Sequence, residues 1–322
     1  MAKPKVFITR LIPQNGITLL QKKCEVRVHP HPHKISPSEL KKGVLWCDAL
    51  LSLLTDKITS EVLDLNPRLK IVANYAVGFD NIDVKYATSK GIVVTNTPGT
   101  LEDAVAEHTI ALMMGISRRL VEADKFMRTG KYKVWQPMLL VGSQLRGKTL
   151  GIGGGGRIGC DVARKAAHGF EMQVVYSDIK RNFEFEKELG ARLVTLPDLL
   201  KQSDFVSMHV PLLPSTRHLI GAKELRLMKK TAFLINTARG PVIDEKALVA
   251  ALQKKVIAGA ALDVFEFEPK MVSGLAGFSN VLVTPHIASA TIEAREAMGE
   301  IAAKNILAVL AGKKAMTPVK VF

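Results

Sequence analysis

The feature that most constrains this chain is a glycine-spaced loop. Gly154-Gly155-Gly156-Arg157-Ile158-Gly159 fits G-x-G-x-x-G, follows the apolar run at 149–152 and opens a helical pattern at 158–167. That order predicts a strand, a tight turn and a helix. Gly154 serves the turn, Gly156 lets the backbone approach a pyrophosphate, and Gly159 lets helix and strand pack closely. The phosphates then sit at the positive end of the helix, where Arg157 and Ile158 begin it. Nineteen residues past Gly159 comes Asp178, ending the strand-like run at 174–177. A carboxylate there accepts hydrogen bonds from ribose hydroxyls and repels a 2′-phosphate. The expected cofactor is therefore NAD(H), in preference to NADP(H). Lys180 and Arg181 stand close by and soften that discrimination.

The surroundings suit such a loop. Strand-like runs at 149–152, 174–177, 205–210, 232–236, 258–262 and 281–284 alternate with helical patterns. Six parallel strands in ~140 residues is the size of a doubly wound, Rossmann-type domain. The first hundred residues repeat the alternation, with runs at 6–8, 26–28, 49–54, 70–74 and 91–95. The fold class is α/β, with two doubly wound parallel-sheet domains. From 102 to 128 the apolar spacing of Val105, Thr109, Leu112, Met113, Ile116 and Leu120 predicts one long helix bridging the two halves. A last amphipathic helix is expected at 292–310.

Composition narrows the function. The chain has 322 residues, 47 % of them apolar, which supports two domains with real cores. No apolar run approaches the ~18 residues of a membrane span. The first residues lack the apolar segment of a secretory signal. Cys24, Cys47 and Cys160 show neither an even count nor metal-ligand spacing, so a cytoplasmic protein is expected. The formal charge of +15 raises nucleic acid as a partner. Its cations are scattered in doublets and aromatics are only 6 %, so no nucleic-acid partner is expected. His29, His31 and His33 alternate with prolines and read as a solvated loop rather than a metal site. His108 and His209 read as packed or cofactor-adjacent.

Three residues follow the ends of successive strand-like runs: Arg239 after 232–236, Glu268 after 258–262 and His286 after 281–284. In open α/β sheets ligands bind at those ends. Arginine offers a planar fork to a carboxylate or carbonyl oxygen. Histidine gives a proton to a carbonyl oxygen as hydride arrives at its carbon, and a neighbouring carboxylate stabilises the imidazolium. Taken alone, Glu268 reads as an exposed glutamate. Behind a dinucleotide loop the three together point to hydride transfer on a 2-oxo acid.

Several ordered motifs carry a resemblance over nearly the whole chain: Asn74-Tyr75-Ala76-Val77-Gly78-Phe79-Asp80-Asn81-Ile82-Asp83, the segment 147–159, 236–240, 261–269 and 285–289. The sequence resembles the D-isomer-specific 2-hydroxyacid dehydrogenases, most of all the glyoxylate/hydroxypyruvate reductase (glycerate dehydrogenase) branch. The resemblance implies NAD(P)H-dependent reduction of a small 2-oxo acid, glyoxylate or hydroxypyruvate, with His286 as proton donor and Arg239 and Glu268 as catalytic partners. It implies a flavodoxin-like substrate domain, residues 1–99 and 287–322, into which a Rossmann domain, 100–286, is inserted, with a cleft that closes over the cofactor. Leu53, Val77, Gly78 and Arg239 would meet substrate. Arg157 and Ile158 would meet the pyrophosphate, Asp178 the ribose, and Val210, Thr237, Asp263 and Ser289 the rest of the cofactor. A homodimer is implied too. Gly153 and Gly155 stand where the family commonly has apolar residues, which makes a looser loop. Leu139 stands where a tryptophan often follows Trp-x-Pro, which bears on substrate choice. D-3-Phosphoglycerate dehydrogenase and a dinucleotide-sensing corepressor are the competing readings.

Overall fold

A computed structural model describes residues 2–320. Met1, Val321 and Phe322, which fall within the expected substrate domain, lie outside the described residues. The chain divides into two compact units, one running to Leu101 and resuming at Ala290, the other spanning Glu102–Ser289. These bounds differ from the expected ones by two residues (101 against 99) and three residues (289 against 286).

The first unit alternates β1 (Lys5–Ile8), α1 (Gln14–Gln21), β2 (Glu25–Val28), α2 (Pro37–Trp46), β3 (Ala49–Leu53), α3 (Ser60–Leu63), β4 (Ile71–Tyr75), α4 (Val84–Ser89) and β5 (Val93–Thr95). The pairings among these five strands are parallel, in the flavodoxin-like order β2-β1-β3-β4-β5. β3 and β4 are near-continuous apolar runs, interrupted only by the mutually bonded Ser52 and Asn74, because helices cover both faces of the sheet. Leu50, Leu51, Ile71 and Val72 are fully buried. The C-terminal helix, Ile292–Leu310, belongs to this unit. It lies so close to α1 that a Cβ on Gly16 would meet the Gly299 carbonyl at 2.7 Å. The Tyr75 hydroxyl donates to the Arg295 carbonyl at 2.6 Å, which ties that helix to β4.

His29 departs from expectation. Its amide donates to the Ile8 carbonyl, prolonging the β1–β2 ladder inward. The ring is therefore only 6 % exposed, with Nε2 3.4 Å from Glu39 Oε1.

The second unit contains α5 (Glu102–Ser117), α6 (Leu120–Arg128), β6 (Thr149–Gly153), α7 (Arg157–Phe170), β7 (Gln173–Ser177), α8 (Phe183–Leu189), β8 (Arg192–Leu193), α9 (Leu196–Gln202), β9 (Phe205–Met208), α10 (Ala222–Leu227), β10 (Phe233–Asn236), α11 (Glu245–Gln253), β11 (Gly259–Leu262) and β12 (Val281–Val283). The C-terminal helix of the first unit is α12. The sheet is wholly parallel, ordered β12-β11-β10-β9-β6-β7-β8. Strand order reverses between β6 and β9, the switch point at which such sheets bind ligands.

Two elements differ from the sequence reading. β8 is a seventh strand. It has two exposed residues and so carries no apolar signal. The long helix breaks at Arg119, whose φ of 54° is left-handed and whose guanidinium pairs with Glu122. α5 belongs to the second unit, where it packs against α7, β10 and β11.

Candidate active site

The glycine loop follows β6 and caps α7. Gly154 has φ +100°, and a Cβ there would meet the His209 backbone at 2.9 Å and Val210 Cγ1 at 3.0 Å. Val210 thus abuts the loop directly. A Cβ on Gly159 would collide with the Gly154 carbonyl oxygen. Gly156, the N-cap of α7, has nothing within 4 Å of its Cβ position, so space is open above that helix end. The first amides of α7, including those of Arg157 and Ile158, have no acceptor within the helix. Ile158 turns its side chain into the core, while Arg157 extends outward with Nη1 3.8 Å from Glu102 Oε1.

The expectation of a loose loop is overturned. Gly153 and Gly155 leave room that neighbours already fill. Cβ atoms there would meet Met208 at 2.7 Å and the Tyr176 ring at 2.9 Å. Large side chains from β9 and β7 supply the volume that the loop itself lacks.

Asp178 follows β7 and faces the loop. Its Oδ2 accepts the Gly155 amide at 2.7 Å and its Oδ1 the Lys180 amide at 3.1 Å. Beside it Ile179 is wholly exposed, at 101 %. An aliphatic residue so placed, at the C-terminal end of a strand, has little signature in the sequence. Its one signal is its position directly after the acid. His209, following β9, bonds Ser207 Oγ through Nε2 at 2.8 Å, and burial pushes its pKa down to about 3.

Past β10, Asn236 clamps the next turn. Its Nδ2 donates to the Arg239 carbonyl at 2.9 Å and its Oδ1 accepts the Ala238 amide at 3.0 Å. Thr237 Oγ1 lies 3.0 Å from Thr109 Oγ1, whose own proton goes to the Val105 carbonyl. Thr237 is therefore the donor, and its hydroxyl is turned toward α5. The half-buried Arg239 directs Nη1 to the Ala238 carbonyl at 2.8 Å. A Cβ on Gly240 would collide with the Phe265 backbone, so only glycine lets the Arg239 and Glu268 loops touch.

Past β11, Glu268 Oε1 accepts the Phe265 amide at 3.1 Å, and Oε2 meets His286 Nδ1 at 3.0 Å. Burial alone would raise the Glu268 carboxyl. The bond from His286, its charge, the Phe265 amide and the Arg239 charge outweigh burial and lower it. The buried Glu245, opening α11, accepts the amides of Glu266 and Val272 and so shapes the Glu268 loop from below.

Past β12, His286 sits at φ 55°, left-handed backbone that few non-glycine residues adopt. Its amide donates to the Asp263 carbonyl at 2.8 Å. The Asp263 side chain is fully buried and holds the same turn. Oδ1 accepts Thr284 Oγ1 at 2.6 Å and the Ile287 amide at 2.9 Å; Oδ2 accepts the Ala288 amide at 2.8 Å. His108 Nε2 lies 3.1 Å from Thr284 Oγ1 and 3.5 Å from Asp263 Oδ1. Ser289, half-buried, closes the turn and the unit. The structure brings Arg239, Glu268 and His286 to one end of one sheet. Asn236, Asp263 and Glu245 set their backbones. The supporting roles of Asn236 and Glu245 leave no trace in spacing, because each acts through distant amides.

In the first unit, Leu53 ends β3 and the turn after β4 carries Val77 and Gly78. Asn96 Nδ2 donates to the Val77 carbonyl and Asn74 Nδ2 to that of Gly78, each at 2.8 Å. Asn81 Nδ2 donates to the Leu53 carbonyl at 3.1 Å. With their carbonyls held this way, the Val77 and Gly78 amides meet no acceptor among the described residues.

Open space over the start of α7 and an imidazole–carboxylate pair at the same end of one sheet suit a nicotinamide-dependent oxidoreductase, and the protein is of this class. Residues 110–288 match the family described as D-isomer specific 2-hydroxyacid dehydrogenase, NAD binding domain. A glyoxylate reductase of Thermofilum pendens is 51 % identical over 317 residues, 97 % of this chain and 93 % of its own. A crystal structure from Thermus thermophilus superposes with a TM-score of 0.92 at 41 % identity, covering 98 % of this chain and 100 % of that one. An NADPH-dependent glyoxylate/hydroxypyruvate reductase of Sinorhizobium meliloti, in complex with NADP and malonate, gives 0.85 at 32 % identity, covering 99 % and 97 %. The chain belongs to the D-isomer-specific 2-hydroxyacid dehydrogenase family.

Proposed function

We propose that the protein reduces glyoxylate or hydroxypyruvate to the D-2-hydroxy acid, glycolate or D-glycerate, using NADH. The observation that carries this is the His286–Glu268 pair, 3.0 Å apart and beside the charge of Arg239. With Nδ1 engaged by the carboxylate, Nε2 is the imidazole atom left to face substrate. Nε2 gives its proton to the carbonyl oxygen, and Glu268 stabilises the ring while charged. Arg239 orients the substrate through its planar fork. In the first unit the Val77 and Gly78 amides, with Leu53 alongside, offer donors suited to a carboxylate. The dinucleotide, when bound, supplies the hydride.

The open space at Gly156 fits a pyrophosphate on the α7 amides of Arg157 and Ile158, between the turns made by Gly154 and Gly159. Asp178 takes the ribose hydroxyls, Ile179 offers an apolar face to the base, and Val210 walls the loop. Thr237 contributes through its main chain, since its hydroxyl serves Thr109. Asp263 and Ser289 bound the nicotinamide end. The Asp178 carboxylate, held toward the loop, favours NADH over NADPH. Exposed Leu120, Val121, Met127, Val134, Trp135 and Met138, on and after α6, support a homodimer. Among the described residues no helix is long and apolar enough to cross a membrane. Cys24, Cys47 and Cys160 are free thiols, which favours the cytoplasm.

Initial rates of NADH loss with glyoxylate, hydroxypyruvate, pyruvate and 3-phosphohydroxypyruvate test the assignment. Glyoxylate and hydroxypyruvate should turn over best. Preference for the phosphorylated acid would move the protein to 3-phosphoglycerate chemistry. Binding of NADH without any turnover would favour a sensing protein.

A further inference from the structure

We propose that Glu186 is a second determinant of dinucleotide choice: it holds Arg181 in a fork and so keeps that cation from serving a 2′-phosphate. The inference rests on the reading of Asp178 as the ribose ligand, and deepens it.

Arg181 lies three residues past Asp178, in the turn between β7 and α8. By position alone, Lys180 and Arg181 put two cations beside the acid that repels phosphate. An arginine free at that turn would recognise a phosphate through the same planar fork that suits carboxylates. It is not free. Nε lies 3.0 Å from both Glu186 oxygens, and Nη2 lies 2.8 Å from Oε2. The guanidinium also stacks 4.8 Å from the Phe183 ring centre.

The holder is itself held. The Tyr176 hydroxyl donates to Glu186 Oε1 at 2.9 Å and accepts the Asn182 amide at 2.8 Å. Tyr176 is fully buried and packs edge-on against Phe185. Asn182 caps α8 by accepting the Phe185 amide at 3.1 Å, and its Nδ2 donates to the Gly155 carbonyl at 3.3 Å. The ring that fills the room at Gly155 thus belongs to the residue that anchors Glu186. One network fixes the glycine loop, positions the acid and withholds the arginine. Glu186 is 16 % exposed against 56 % for Arg181, so the fixed partner is the carboxylate. The Arg181 hydrogen bonds also hold the Glu186 carboxyl below its usual range.

The test is the dissociation constant of NADH and of NADPH, by nucleotide fluorescence, for wild type, Glu186→Gln, Arg181→Gln and the double variant. Glu186→Gln keeps an acceptor for Tyr176 but removes the charge that pairs Arg181. NADPH affinity should rise about ten-fold, with NADH affinity unchanged within about two-fold. The double variant should lose the gain, which a merely structural effect of Glu186 would not do. Arg181→Gln alone gives an independent readout. Because the cation is already withheld, NADPH affinity should not change. The inference is overturned if Glu186→Gln leaves NADPH affinity unmoved, if the gain survives in the double variant, or if Arg181→Gln alone weakens NADPH. If wild type binds neither nucleotide, the cofactor reading itself falls and the inference with it.

Discussion

His286→Ala is expected to lower kcat for glyoxylate reduction by about 10²–10⁴-fold, the usual range for losing a general acid. NADH affinity should stay within about two-fold, because the imidazole faces the reacting carbonyl oxygen and not the glycine loop. The substitution also removes the largest of the interactions that lower the Glu268 carboxyl. A partly desolvated carboxylate with less compensation takes up a proton more readily. Turnover and nucleotide titration, run on one preparation, separate the two effects. A variant that keeps near-wild-type turnover would remove His286 from the proton path.

Asp263→Ala is expected to be the most damaging substitution for the second unit. It strips the Thr284 hydroxyl and the Ile287 and Ala288 amides of their common acceptor. Leaving a buried donor unpaired costs about 1–3 kcal/mol; with the Ala288 amide buried and the other two donors part-buried, the net loss is about 3 kcal/mol. That corresponds to a fall in Tm of about 6–12 °C for a unit of this size. Turnover should fall as well, since the left-handed turn at His286 loses its support.

The pH dependence has a definite sign. Burial raises the Asp263 carboxyl, but His108, Thr284 and the two amides lower it further, to below its usual range. A carboxyl depressed by folding stabilises the protein fully above the ordinary carboxylate pKa. That contribution disappears as pH falls through the depressed value. The deficit of Asp263→Ala should therefore be largest near neutrality and shrink in acid. A Tm series across pH checks it. A deficit that grows on acidification would contradict the assignment.

Much of the fold was legible, because parallel strands covered on both faces leave near-continuous apolar runs that glycines and helices punctuate. β8 was not, since an edge strand of two exposed residues has no pattern. Nor was the break at Arg119, because the apolar spacing continues through it to Leu120 and only the backbone angle changes. In the site, Arg239, Glu268 and His286 were visible because each closely follows a recognisable strand. Asn236 and Glu245 were not, because their partners are backbone amides and carbonyls whose positions depend on the folded loops. Gly155 shows the limit from the other side. Read locally it is slack, whereas in space Tyr176, twenty-one residues later (176 against 155), fills it.

The most direct measurement is the configuration of the glycerate formed from hydroxypyruvate and NADH, resolved by chiral chromatography. The account requires D-glycerate in amounts matching the NADH consumed. L-glycerate, or a racemic product, would contradict the placement of His286 and Arg239 about the substrate.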